Sequence, residues 1–73
     1  MNYLDTHGNI VTVTPGIGGT TFIAARVSKN GSLHRVKSSA LPPCKTAVRM
    51  QMLLDRYARQ HGWTAVEDEH VDS

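Results

Sequence analysis

Apolar and polar residues alternate along the first half of the chain and regroup at helical spacing in the second. Tyr3-Leu4 and Ile10-Val11-Thr12-Val13 flank His7-Gly8-Asn9, a trio of turn composition. This pattern predicts a short strand or hairpin that ends at Pro15. Residues 15–19, PGIGG, read as a turn or flexible loop. Thr20 to Ser28 and Ser32 to Ser38 are extended runs joined by Asn30-Gly31. Asn-Gly is the preferred two-residue type I′ turn, because both central residues must take φ > 0.

Such a turn fixes a register by counting. Lys29 faces Ser32, Val27 faces His34, Arg26 faces Arg35, Ala25 faces Val36, Ala24 faces Lys37 and Ile23 faces Ser38. Opposed residues share a face of the sheet. Ile23, Ala25, Val27, His34 and Val36 then form the expected core side, and Phe22, Ala24, Arg26, Arg35 and Lys37 the other. Two directly opposed arginines repel, and neither strand offers an acid to offset them. In this register the pair favours a bound anion.

Pro42-Pro43 closes the extended region, and proline is pre-set for entry into a helix. A helix is predicted from Cys44 to His61, with Gly62 as its C′ residue. At 100° per residue, Ala47, Met50, Leu54, Tyr57, Ala58 and His61 gather on one side, which should lie on the sheet. Trp63 to Val66 either adds a last short strand or staples the helix end. The expected fold is α+β: an antiparallel three- to four-stranded sheet packed on one C-terminal helix. Residues 1–66 form a single small domain, and residues 67–73 an acidic tail expected to be disordered.

Size limits the means of stabilisation. A chain of 73 residues with one cysteine has no internal disulfide and sits near the limit at which one core offsets chain entropy. Dimerisation would add buried area, and both a monomer and a homodimer fit the composition. The lone thiol suits a reducing compartment. No signal peptide is visible in MNYLDTHGN, and no run approaches the roughly 20 apolar residues of a membrane helix. A soluble protein of the host-cell cytoplasm, with no membrane partner, is the expectation.

Charge is sorted by position. All eight basic residues lie between Arg26 and Arg59, and four of the six acids fall in the last seven residues. Residues 1–66 therefore set eight cations against Asp5 and Asp55, a balance of +6. That balance calls for an anionic partner. Lys45, Arg49, Met52, Arg56 and Arg59 step by 4, 3, 4 and 3 along the helix, opposite its apolar side. A solvated helix exterior would read similarly, but it normally intersperses acids that make i,i+4 pairs. Asp55 is the only acid on this helix, and methionine is an adaptable apolar contact residue.

Catalytic patterns are missing. Gly16-Ile17-Gly18-Gly19-Thr20-Thr21 lacks the lysine and the following helix of a phosphate-binding loop. His7, His34, His61 and His70 are scattered, and Cys44 has no second cysteine nearby, so no metal site is expected. Cys44 has no positioned base either. It reads as a small buried thiol at the helix start. A non-enzyme without a cofactor is expected.

Two resemblances bear on function. Phe22-Ile23-Ala24-Ala25-Arg26-Val27, then Asn30-Gly31, a basic strand, and a helix with Ala47 and Asp55-Arg56-Tyr57-Ala58 resemble the sheet-plus-helix DNA-binding domains of the AP2 and integrase-arm type. Those domains read DNA with the sheet, which implies nucleic-acid contacts from Phe22, Arg26, Arg35 and Lys37. The chain departs from that family at Ser38–Pro43, where the Leu-Gly-x-Phe step is absent. The layout of residues 9–66 is similar to small phage-encoded proteins, among them anti-CRISPR inhibitors of the type I kind. It is carried by Ile10 to Pro15, a glycine turn, a Phe22-to-Val27 strand, a second glycine turn, and an alanine- and methionine-bearing helix closing near Tyr57-Ala58 and Gly62-Trp63. That resemblance implies a protein that binds and inhibits a larger host protein or nucleoprotein complex, such as a type I CRISPR surveillance complex. The charge pattern then assigns protein binding to Lys45, Arg49, Met52, Arg56 and Arg59. The alternative is a small protein that binds duplex DNA through its basic sheet face.

Overall fold

The computed structural model describes residues 1–66; the acidic segment 67–73, expected to be disordered, lies outside the described residues. Its elements are β1 (Asn2–Leu4), β2 (Ile10–Pro15), β3 (Phe22–Val27), β4 (Leu33–Arg35), α1 (Ala47–His61) and β5 (Thr64–Val66). The fold is α+β, with one antiparallel sheet of order β4-β3-β2-β1-β5 packed on the single helix of the described residues. It has five strands where three or four were expected, because Asn2–Leu4 and Thr64–Val66 both pair. Strands β1 to β4 form a meander. The helix then carries the chain back across β2 and β3, and β5 docks on the free edge of β1.

Two of the hairpins turn in the same way. Asp5 N–H donates to the Asn9 carbonyl at 2.9 Å, and Gly8 N–H to the Asp5 carbonyl at 3.1 Å. Ser28 N–H likewise donates to the Ser32 carbonyl, and Gly31 N–H to the Ser28 carbonyl, both at 2.9 Å. Each loop therefore has three residues and ends on a glycine with positive φ, 82° at Gly8 and 88° at Gly31. This is the three-residue hairpin loop in which only the last position is left-handed. Asn30 keeps a negative φ, and its side-chain oxygen instead accepts from Ser32 N–H at 3.1 Å.

That loop overturns the two-residue turn and shifts the register by one. Ala25 pairs with Arg35, Arg26 with His34 and Val27 with Leu33. A one-residue slip changes which residues share a face. His34 and Val36 now go with Phe22, Ala24 and Arg26, so the β3 part of the expected core side is inverted and the β4 part is kept. The side toward α1 carries Tyr3, Val11, Val13, Phe22, Ala24 and Arg26, as shown by the cross-strand pairs and by the Tyr3–helix bond described below. Ile23, Ala25 and Val27 lie on the outer side instead. Val36 remains a core residue; its N–H donates to the Ala24 carbonyl at 2.9 Å, just beyond β4.

The core joins Tyr3, Val11, Ala24 and Val36 of the sheet layer to Leu41 and Cys44, and to Met50, Leu54 and Ala58 of the helix. Phe22, Leu53, Tyr57 and Trp63 pack against its margin. Of the predicted apolar stripe, Met50, Leu54 and Ala58 are buried and Tyr57 half-buried, whereas Ala47 and His61 are exposed. His61 stacks on Tyr57 with ring centroids 4.0 Å apart.

The helix begins three residues later than predicted. Cys44 is extended, because its N–H and carbonyl both bond to Phe22, at 3.0 and 2.7 Å. Thr46 is the N-cap, its hydroxyl accepting from Arg49 N–H at 3.1 Å. Gly62 closes the helix in the left-handed region, at φ 72°, as its position after His61 predicts.

Candidate functional site

The outward side of α1 is built from residues that the core does not use. With Met50, Leu54 and Ala58 pointing inward, the 3.6-residue period turns Arg49, Met52, Arg56 and Arg59 to solvent. All four are exposed, Met52 by 56%. Val48, one turn before Met52, is 72% exposed. The two make an i,i+4 apolar pair bordered by Arg49, Arg56 and Arg59. Pattern reading singled out Met52 and passed over Val48, which one more step of the same period reaches.

Nothing among the described residues neutralises this ridge. Their one salt bridge joins Arg26 to Asp5. Asp55, the only acid on the helix, is engaged on the inner side: its Oδ1 accepts from Tyr3 Oη–H at 2.7 Å and from Gln51 Nε2 at 2.8 Å. Gln51 in turn bonds the Met1 ammonium and carbonyl. Burial, followed by the bond to Asp55 and its negative charge, pushes the Tyr3 phenol above its ordinary pKa, against a smaller opposing effect from Arg59.

Local stability does not explain Arg49. It stands at the third helical position, where a glutamate would complete a capping box with Thr46 and favour the helix dipole. The first turn holds no acid, and a cation there works against the dipole.

Lys45 lies outside the helix, on the short segment ahead of the cap. It lines an open cleft of about 430 Å³ with Pro42, Pro43, Cys44, Thr46, Arg49 and Leu53. The five predicted protein-binding residues therefore divide between two joined features, Lys45 and Arg49 at the cleft and Arg49, Met52, Arg56 and Arg59 along the ridge. The Cys44 thiol is buried and donates to the Pro42 carbonyl at 3.3 Å.

The predicted nucleic-acid constellation is not brought together. Arg26 pairs with His34 and lies on the helix side of the sheet, while Arg35 pairs with Ala25 and lies on the outer side. The opposed arginines expected from the two-residue turn are thus separated. Arg26 also has the acid that its own strand lacks: Nε donates to Asp5 Oδ2 at 2.9 Å. Phe22 sits at the core margin, and Lys37 is exposed beyond the end of β4.

Asp5 is itself a built feature. Its buried carboxylate also accepts from the backbone N–H groups of His7 and Asn9, both at 2.9 Å. Burial is the largest single influence and raises its pKa, but the Asn9, Arg26 and His7 hydrogen bonds and the Arg26 charge together outweigh it. The carboxyl is therefore held below its ordinary range.

His7, His34 and His61 are exposed, so His34 is not the half-buried strand residue its sequence position suggested. The described residues contain no group of three or more His, Cys, Asp or Glu able to hold a metal ion. Gly16–Gly19 connects two antiparallel strands, the wrong setting for a phosphate loop. No helix of the described residues is long and apolar enough to cross a membrane. No protein-family model matches the chain, and neither a curated protein nor a solved structure matches it.

Proposed function

We propose that this is a non-catalytic binding protein that docks the outer face of α1 on an acidic surface of a larger partner and occludes it. The carrying observation is the composition of that face. An apolar pair, Val48 and Met52, is framed by Arg49, Arg56 and Arg59, which have no acidic partner among the described residues. Protein interfaces place adaptable apolar residues and arginine together, with charge at the rim. A purely phosphate-binding helix has no use for two exposed apolar side chains in its centre. The resemblance to phage inhibitors makes a host nucleoprotein assembly the partner to test first, a type I CRISPR surveillance complex among them.

Binding of the purified protein to such a complex, measured with and without Arg49→Glu plus Arg56→Glu, tests this reading. Loss of at least about tenfold in affinity, with Met52→Ala weakening binding in the same direction, supports it. Retained binding in both variants overturns it. A salt-titrated duplex-DNA assay separates the alternative. Tight binding that collapses between about 50 and 200 mM salt, equally in the presence and absence of Val48 and Met52, would assign the ridge to phosphates.

A further inference from the structure

The side of the sheet away from α1 carries no helix or strand among the described residues. Its register places Leu4, Ile10, Val27 and Leu33 in one row across β1, β2, β3 and β4. The row alternates with a second one that passes through Thr12, Ala25 and Arg35. Ile10 and Val27 are half-buried by their neighbours, while Leu4 and Leu33 at the two ends are 37% and 53% exposed. Contiguous apolar surface of this kind on a small domain marks an interface.

We infer that this outer sheet face is the interface of a homodimer, with a second copy of the chain packed sheet against sheet. Charge selects the occupant. Arg35 is the one charged residue among the strand positions of this face, so two copies meet with little repulsion. The helix face, with three arginines, repels its own copy. An anionic partner would instead gain nothing from a face with a single cation. Laying β4 of one copy over β5 of the other keeps the two Arg35 side chains at opposite ends of the interface.

The area sets the strength. Only β2 and β3 have six residues, and the other three strands have three. At about 3.3 Å per residue and about 4.8 Å between strands, the strand residues cover roughly 330 Å² of sheet. Two such faces bury on the order of 700 Å², the size of a weak, concentration-dependent contact. The interface is isologous, as two-fold dimers require, and its β-branched Ile10, Val27 and Thr12 suit the interdigitation of sheets about 10 Å apart. It also relieves the shortage of core in a 73-residue chain. The two α1 ridges then point away from each other, on opposite sides of the assembly.

Sedimentation equilibrium of the full chain, from about 10 μM to about 1 mM, tests the inference over the range a small interface implies. The expected result is a mass that rises to that of a dimer. Leu4→Lys plus Leu33→Lys should hold the protein monomeric with an unchanged circular dichroism spectrum, and Arg49→Glu should leave the dimer intact. Should the lysine pair unfold the domain, Leu4→Thr plus Leu33→Thr keeps strand-compatible side chains and raises the dimer dissociation constant at least about tenfold. A wild-type monomer at every concentration overturns the inference and gives the face to another occupant. A dimer indifferent to both double substitutions overturns it as well.

Discussion

Arg26 Nε donates to Asp5 Oδ2 at 2.9 Å, tying the far end of β3 to the β1–β2 turn across the intervening strand. One carboxylate thereby closes a hairpin through two backbone amides and anchors the strand two places away. The Asp5 side chain is 3% exposed and that of Arg26 39%, so the acid bears most of the desolvation.

Asp5→Ala should therefore cost about 2–4 kcal/mol, since it strips two part-buried amides and one guanidinium of their acceptor. Asp5→Asn keeps an acceptor for the amides and should cost about half as much. Thermal or urea melts measure both.

The same carboxylate sets an acid limit on stability. Its folded pKa is depressed, so the unfolded chain binds the proton more readily. Its contribution is fully present above the ordinary aspartate value of about 4 and is lost as pH falls through the lower folded value. Urea midpoints between pH 2 and 6 should drop steeply below about pH 4 in the wild type, and more gently in Asp5→Asn.

Arg49→Glu should pull stability and binding in opposite directions. It completes the capping box with Thr46 and replaces a cation by an anion at the positive end of the helix dipole, a gain of about 0.5–1 kcal/mol. In a domain of this size that raises Tm by roughly 2–8 °C. Partner affinity should fall. A variant both less stable and weaker in binding would mean that Arg49 serves the fold.

Gly31→Ala should destabilise by about 1–2 kcal/mol. The site is open, with no atom within 4 Å of an added Cβ, so the cost comes from φ 88° alone. Asn30→Gly loses the bond to Ser32 N–H without relieving any positive φ, and should destabilise slightly. A two-residue turn, with both positions left-handed, predicts that Asn30→Gly is neutral or stabilising.

Tyr3→Phe removes the phenol that bonds Asp55 and should cost about 1 kcal/mol. In an alkaline absorbance titration, Tyr3 should ionise above the usual value near 10. The substitution should delete that late phase. Because the raised pKa belongs to the folded state, the contribution of Tyr3 is present below about pH 10 and declines as pH rises through the folded value.

The legible parts of this fold are those fixed by local chemistry. The period of Met50, Leu54 and Ala58, the stop at Gly62 and the outward run of Arg49, Met52, Arg56 and Arg59 all follow from helical geometry. The β3–β4 register was not legible, since Asn30-Gly31 suits two loops that differ by one residue. The Ser28–Ser32 pair chooses between them, and Ala24 and Ala25, both buried, leave β3 with no polar alternation to reveal its inner side. Cys44 shows the same limit at the helix start. Its bridge to Phe22 is a long-range pairing that delays the helix to Thr46, and no neighbouring residue announces it. The acid partner of Arg26 was hidden for that reason also, being 21 positions away.

The pairing of β5 with β1 sets Val66 opposite Asn2. The described chain is thus nearly a ring, open at a single seam along one edge of the sheet. A short bridge across that seam, with new ends cut between Lys29 and Asn30 at an exposed turn, yields a circular permutant that keeps every strand pair. In such a molecule the ridge on α1 would be untouched, while any cargo fused at the old ends would move to the opposite edge of the sheet.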